Sequence, residues 1–427
     1  MTTRAQLFVI ASLNLHAAAS AFHASSCNAR RQSIQHCVLT AAAQDHNKEE
    51  INANPPVTVA GVIAPLSYYY NYTYPSLSLH FPDLSKKQNA ETVSSTSSSE
   101  NNMEEFVFLV DTGANVNSIQ ADLVEKYKIP PLADSIILQG EKLQSEPIGA
   151  AGMGGSFDPG TMVILGNCSL AGMPQGQEGI VFLRNLVAAA LPRASPAGTA
   201  GLLGTAFLRC FTGVEFDWYG TDGDPPTFGF YFGNNDTALP EQITKGMERV
   251  PLRELMGLLI LTVQVNGEEI PVLVDTGSPI TVLNQKTAKQ LGIATVPVTA
   301  AAAAAALPQT HQQQIGDNLL KVGGIDGRAV DLQRSESASV QIYVSGVSLG
   351  EGPVYVGNIP AFKVLETMIQ QNIIPDGMSS TSEAPVAILG LDFLKRAYRM
   401  IVSNYGPSWE LWLEELDETK PVYDPLD

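Results

Sequence analysis

Two carboxylates in matching settings are the residues of this chain best suited to chemistry. Asp-Thr-Gly occurs twice, each time after an apolar run: FVFLVDTGAN around Asp111 and IPVLVDTGSP around Asp275. One such tripeptide arises by chance roughly once in ten chains of this length, so two copies in the same context are not accidental. Two carboxylates brought within about 3 Å cannot both ionise easily, and they share a proton. One then acts as a base toward water, and the other as an acid toward a carbonyl oxygen and a leaving amine. Peptide hydrolysis needs both roles. Such a pair titrates as a unit, with pKa values that belong to neither residue alone.

The match extends beyond the tripeptide. LLG-TAFL (Leu202 to Leu208) follows the first copy and ILG-LDFL (Ile388 to Leu394) follows the second. Twelve residues past Phe207 stands Tyr219-Gly220, and twelve past Phe393 stands Tyr405-Gly406. The chain is an internal duplication, and each half supplies one aspartate.

Over residues 56–416 these motifs resemble two tandem lobes of an aspartic protease, more the short retropepsin type than the long pepsin type. The proton-sharing pair above has that family as its standard worked case. The resemblance implies a mostly β, two-lobed acid-protease fold. Each lobe would be a closed β-barrel with one short helix, related to the other by a pseudo-two-fold axis. It implies a catalytic dyad of Asp111 and Asp275, with Thr112 and Thr276 bracing the two loops across the axis. Gly113 and Gly277 would let the loops turn and approach closely. Gly204 and Gly390, in the apolar-apolar-Gly elements, would pack beneath their own aspartate loops. The implied partner is a polypeptide substrate held extended as an added strand, with no cofactor and no metal. The implied activity is that of an aspartic endopeptidase; the alternative is an inactive protease fold that binds peptides or serves as a scaffold.

One difference separates the two motifs: Ala114 follows the first, and Ser278 the second. A Ser278 hydroxyl bonded to the Asp275 carboxylate would favour its charged form. This predicts the charge on Asp275 and the proton on Asp111.

Strands and short helices must position these loops. LLILTVQV, an Asn266-Gly267 turn and IPVLVD predict a hairpin leading into the second aspartate. SLSLHF and FVFLVD are its counterparts in the first lobe, and the Ser/Thr-rich stretch between them (84–105) predicts a disordered loop. DLVEKY and KTAKQL predict one short helix after each motif. Gly-rich stretches follow, GAAGMGG with Gly152, Gly154 and Gly155, and VGGIDG with Gly323 and Gly324. They stand where retropepsin flaps lie, and they also fit ordinary glycine hairpin turns. An Ala- and Gln-rich stretch (298–318) reads as a low-complexity insert. IVFLRNLVAAAL fits either a helix covering the first lobe or part of a cleft wall.

Composition sets the outer bounds. The 427 residues suffice for two cores, divided here into lobes at 52–245 and 246–427. A net charge of −18 argues against nucleic acid as partner. Only His80 and His311 lie beyond the first fifty residues, without metal-ligand spacing, which argues against zinc and against Ser-His or Cys-His chemistry. Cys168 and Cys210 fit either a disulfide with each other or, as expected for the body of this chain, buried free thiols. Residues 1–21 read as a signal peptide, and 22–51 as a transit-like segment opening on Phe22. This pair predicts a plastid reached through the ER, with secretion or a vacuole as the alternative. After its removal no membrane association is expected, and one chain carrying both aspartates needs no second copy.

Overall fold

Apolar alternation around the two motifs builds a pair of barrels joined by one sheet. The computed structural model describes residues 7–8, 60–69, 74–84, 105–132, 137–138, 141–142, 151–152, 155–156, 161–171, 182–192, 198–220, 225–233, 238–297, 321–323, 329–336, 340–373, 384–405 and 408–416.

In the first lobe, β1 (Ala60–Pro65) precedes β2 (Tyr74–His80), β3 (Glu105–Val110) and β4 (Ser118–Gln120), then α1 (Ala121–Tyr127). β5 (Thr161–Leu170), β6 (Leu183–Leu191), β7 (Gly201–Leu203) and α2 (Thr205–Leu208) follow. Pairing runs β2-β3-β7-β4-β6-β5 and returns from β5 to β2, so six strands close into a barrel. Closure leaves no free edge, which removes a strand-pairing hazard.

β8 (Gly213–Asp217) and β9 (Thr227–Phe232) lead to the second lobe. There β10 (Glu248–Leu255), β11 (Leu258–Val265), β12 (Glu268–Val274) and β13 (Val282–Leu283) precede α3 (Gln285–Gln290). Next come β14 (Val340–Val344), β15 (Val347–Gly352), β16 (Tyr355–Val356), α4 (Pro360–Ile373), β17 (Ala387–Leu389) and α5 (Leu391–Leu394). β18 (Ala397–Tyr405) and β19 (Ser408–Glu415) complete the described chain. Pairings β11-β12-β17-β13-β16 and β15-β14-β11 repeat the order of the first barrel, with consecutive β15 and β16 filling the place of β6.

The sheet between the lobes reads β1-β9-β8-β18-β19-β10, a palindrome of the duplication. β8 pairs antiparallel with β18, and Glu215 stands opposite Ile401. These two occupy equivalent positions, four residues before Tyr219 and Tyr405, so the pseudo-two-fold axis passes between them. Arg399 spans the sheet's centre, donating to Glu215 at 3.0 Å and to Glu414 at 2.6 Å. The fold is therefore the mostly β, two-lobed acid-protease fold.

Several local expectations hold. The hairpins β2–β3 and β11–β12 form, the latter across Asn266-Gly267, both with positive φ as a tight two-residue turn demands. Both post-motif helices are present, and Cys168 and Cys210 are thiols rather than a disulfide.

Others are corrected. Of the two readings of IVFLRNLVAAAL, the helix does not hold for its described residues: β6 pairs with β5 on one side and β4 on the other, and barrel closure overrides the helix propensity of Leu and Ala. The second lobe adds to its short post-motif helix a longer one, α4, of fourteen residues. Its Ala361, Phe362, Leu365 and Ile369 are buried in a satellite core with Ile280, Tyr355 and Val386. The loop expected over 84–105 lies outside the described residues except at its ends. Leu84 there is buried, and Glu105 pairs with His80. The insert at 298–318 and the transit-like segment also lie outside them. Of the expected signal peptide only Leu7–Phe8 is described, as a strand parallel to Val322–Gly323.

Candidate active site

Each aspartate sits where a strand ends and a parallel neighbour pins it. The Asp111 N–H donates to the Leu203 carbonyl at 2.9 Å, and the Asp275 N–H to the Leu389 carbonyl at 3.1 Å. The next residue in each loop crosses the axis. Thr112 Oγ1 donates to the Val274 carbonyl at 2.8 Å, and Thr276 Oγ1 donates to the Val110 carbonyl at 2.7 Å. Each hydroxyl also accepts the other threonine's N–H at 3.0 Å. All four groups are buried, so each bond also spares a donor or acceptor from going unpaired.

The glycines bring the carboxylates together. Gly113 N–H donates to Asp111 Oδ1 at 2.8 Å, and Gly277 N–H to Asp275 Oδ1 at 2.9 Å. A Cβ on Gly113 would lie 2.5 Å from the Asp275 carboxyl carbon, and one on Gly277 equally close to that of Asp111. Only residues without Cβ allow this facing arrangement. Both aspartates are fully buried, and Oδ2 of each takes no hydrogen bond from the protein.

Burial raises both carboxyls, because it penalises the charged form. Asp111 is pushed up to about 7, against the opposing effect of hydrogen bonds from Asp275 and the loop N–H groups. Asp275 is raised well above the carboxylate range, by burial first and by the Asp111 charge second. These shifts belong to the pair and assign the proton to neither member, but the hydrogen bond on which the expected asymmetry rested is not made. Ser278 Oγ donates to the Ile280 carbonyl at 2.7 Å, so the hydroxyl serves its own turn and not the carboxylate.

Beneath each loop lies the apolar-apolar-Gly element. Thr205 N–H donates to the Ala114 carbonyl at 2.7 Å, and Leu391 N–H to the Ser278 carbonyl at 2.8 Å. A Cβ on Gly204 would meet the Ala114 and Val116 carbonyls at 2.6 Å, and one on Gly390 the Ile280 carbonyl at 2.4 Å. The first lobe is further tied to the β10–β11 turn of the second. Thr205 Oγ1 donates to the Gly257 carbonyl at 2.7 Å, and Asn115 Nδ2 to that of Met256 at 3.2 Å.

Three supporting residues escaped the reading of the sequence. Asn117 Oδ1 accepts from Gly204 N–H at 3.0 Å, and Thr281 Oγ1 accepts from Gly390 N–H at 3.0 Å. Both stand six residues after their aspartate, and superposing the two copies would have exposed them. The third is Asp392, which accepts from Thr281 N–H at 3.0 Å and from Thr281 Oγ1 at 2.7 Å.

The Gly-rich stretches form two separate hairpins. Gly155 pairs with Gly152 in one, and Gly323 with Ala329 in the other; Gly154 and Gly324 lie outside the described residues.

Residues 261–349, which include the second aspartate loop, match the model of the gag-polyprotein putative aspartyl protease family. No curated protein sequence matches the chain. Among solved structures it is similar to a retropepsin-like aspartic protease from Rickettsia conorii, at 13% identity and a TM-score of 0.21. That match covers 40% of this chain and 90% of that one. It is also similar to Basic 7S globulin from soybean, at 11% identity and a TM-score of 0.38, covering 84% and 95%. Conglutin gamma from lupine seeds is similar at 9% identity and a TM-score of 0.38, covering 84% and 96%. The family match on the second lobe and the repeated barrel together support a retropepsin-like aspartic protease fold.

Proposed function

We propose that this chain is an aspartic endopeptidase whose dyad takes Asp111 from one lobe and Asp275 from the other. One observation carries the reading: two carboxyls face each other across the threonine grip. Each has its inner oxygen fixed by a glycine N–H and its outer oxygen unbonded by protein. A water placed between the outer oxygens would lose a proton to the charged member as it attacks a peptide carbonyl. The protonated member would polarise that carbonyl and then protonate the leaving amine. Because both members come from one chain, a monomer suffices.

With both carboxyls raised by burial, the shared-proton state is shifted to higher pH than ordinary carboxyls would hold it. That suits a near-neutral compartment, in keeping with the plastid-type leader. The hairpins at Ala151–Ser156 and Lys321–Asp331 are the flap candidates, closing over an extended substrate by added-strand pairing.

The test is cleavage of a peptide library by the full chain from acid to alkaline pH. An activity window shifted above the ordinary carboxyl range is expected. Folded protein that cuts nothing at any pH would favour a non-catalytic peptide-binding module instead.

A further inference from the structure

Beneath the second aspartate loop lies a half-buried carboxyl with no counterpart in the first lobe, where Ala206 takes its place. We propose that Asp392 is a positioning residue for Asp275, acting through Thr281 and Gly390. The proposal rests on reading the two aspartates as a dyad. Asp392 holds Thr281 by both its N–H and its hydroxyl, at 3.0 and 2.7 Å. That leaves the Thr281 oxygen lone pairs turned to the Gly390 N–H, which donates to them at 3.0 Å. The next residue, Leu391, donates to the Ser278 carbonyl, and the preceding Leu389 carbonyl receives the Asp275 N–H. Asp392 thus fixes the hydroxyl's direction, the hydroxyl fixes the glycine, and the residues flanking the glycine hold both ends of the aspartate loop.

The alternative partner for Asp392 is already engaged elsewhere. The Arg396 guanidinium donates to the Asp392 backbone carbonyl at 2.8 Å and to the Glu351 carbonyl at 2.7 Å, across to β15. Arg396 still acts on the carboxyl as a nearby charge, and among the described residues Tyr355 also faces it, with Arg334 at the Tyr355 hydroxyl. The carboxyl's own hydrogen bonds therefore run to Thr281, which points its role toward the loop.

Asp392→Asn removes the charge and keeps one of the two acceptor oxygens that Thr281 uses, whereas Asp392→Ala removes both, so their difference reads positioning. Two measurements apply: kcat and KM normalised by titration with a statine-type peptide, and the pH titration of the Asp275 carboxyl followed by carbon-13 NMR. Asp392→Ala should lower kcat by about 10-fold or more with KM little changed, as small misplacements of reacting groups do. It should also displace the Asp275 titration, while Asp392→Asn restores most of both. Thr281→Val should reproduce the alanine effect, Thr281→Ser should not, and the double variant Asp392→Ala/Thr281→Val should be no worse than either alone.

Alanine and asparagine variants that match each other in both readouts would overturn the proposal. So would lowered melting temperatures with kcat per active site and titration unchanged. If Asp392→Ala does not fold, the Thr281 pair carries the same comparison. If the wild-type chain cleaves nothing, the protease reading fails, and the NMR titration still decides whether Asp392 positions Asp275.

Discussion

The two lobes meet one backbone requirement in two chemical ways. Each must offer an acceptor to the N–H of the glycine beneath its aspartate loop. The first lobe uses the neutral amide of Asn117, whose Nδ2 is anchored on the Val187 carbonyl at 3.0 Å. The second uses a hydroxyl, Thr281, steered by the half-buried carboxyl of Asp392. Duplication kept the geometry at the axis and let the supports diverge. Burial raises Asp392 to about 6, against the pull of its Thr281 donors and Arg396, so the second lobe alone contains a support that titrates. The lobes also differ around the matching phenylalanines. Phe207 packs into a cluster with Phe182, Phe211 and Phe230, whereas Phe393 carries the Arg396 guanidinium over its ring.

The largest expected effect tests where the lobes are alike. Asp111→Asn and Asp275→Asn should each lower kcat by about 10³-fold or more, since either change removes half of one acid-base device. A single lobe retaining turnover would break the equivalence.

Next come the glycines. Gly204→Ala and Gly390→Ala should each cost about 3 kcal/mol in denaturant unfolding, because the added Cβ meets backbone that cannot rotate away. The closer approach, 2.4 Å against 2.6 Å, predicts the larger loss at Gly390.

The titrating support gives a pH-dependent difference. Asp392 binds its proton more tightly in the folded chain than at the ordinary carboxyl value of 3.8. Its favourable linkage is therefore complete below about pH 4 and lost as pH rises through about 6. Asp392→Asn should gain stability relative to wild type on going from pH 4 to pH 7.5, on the order of 2–3 kcal/mol. Asn117→Ala in the first lobe should show a pH-independent loss. Thermal unfolding across that range separates the two.

The smallest effect sharpens the symmetry. Thr112→Val and Thr276→Val each remove a buried donor and acceptor and should cost about 2 kcal/mol, equally, with the serine variants close to wild type.

Much of the site was legible because its signals are local. Strand alternation, Asn266-Gly267 and the repeated motifs all act over a few residues, and a duplicated sequence checks itself. What stayed hidden depends on distant partners. β6 looks helical until β4 and β5 flank it, and Ser278 looks like a carboxylate ligand until its own turn takes the hydroxyl. Asp392 reads as one acid on a short helix, because nothing nearby in the chain announces Thr281, 111 residues earlier. α4 was the exception, with apolar residues at helical spacing from Ala361 to Ile369 that an internal-repeat reading passes over.

The threonine grip also has a consequence in time. Its partners stand 164 residues apart, and the sheet behind it is finished by β18 and β19. A chain emerging N-terminus first forms one barrel and one aspartate long before the other exists. On the proposed reading, until the second loop docks there is a carboxyl but no dyad, and so no blade with which to cut the apparatus that is making it.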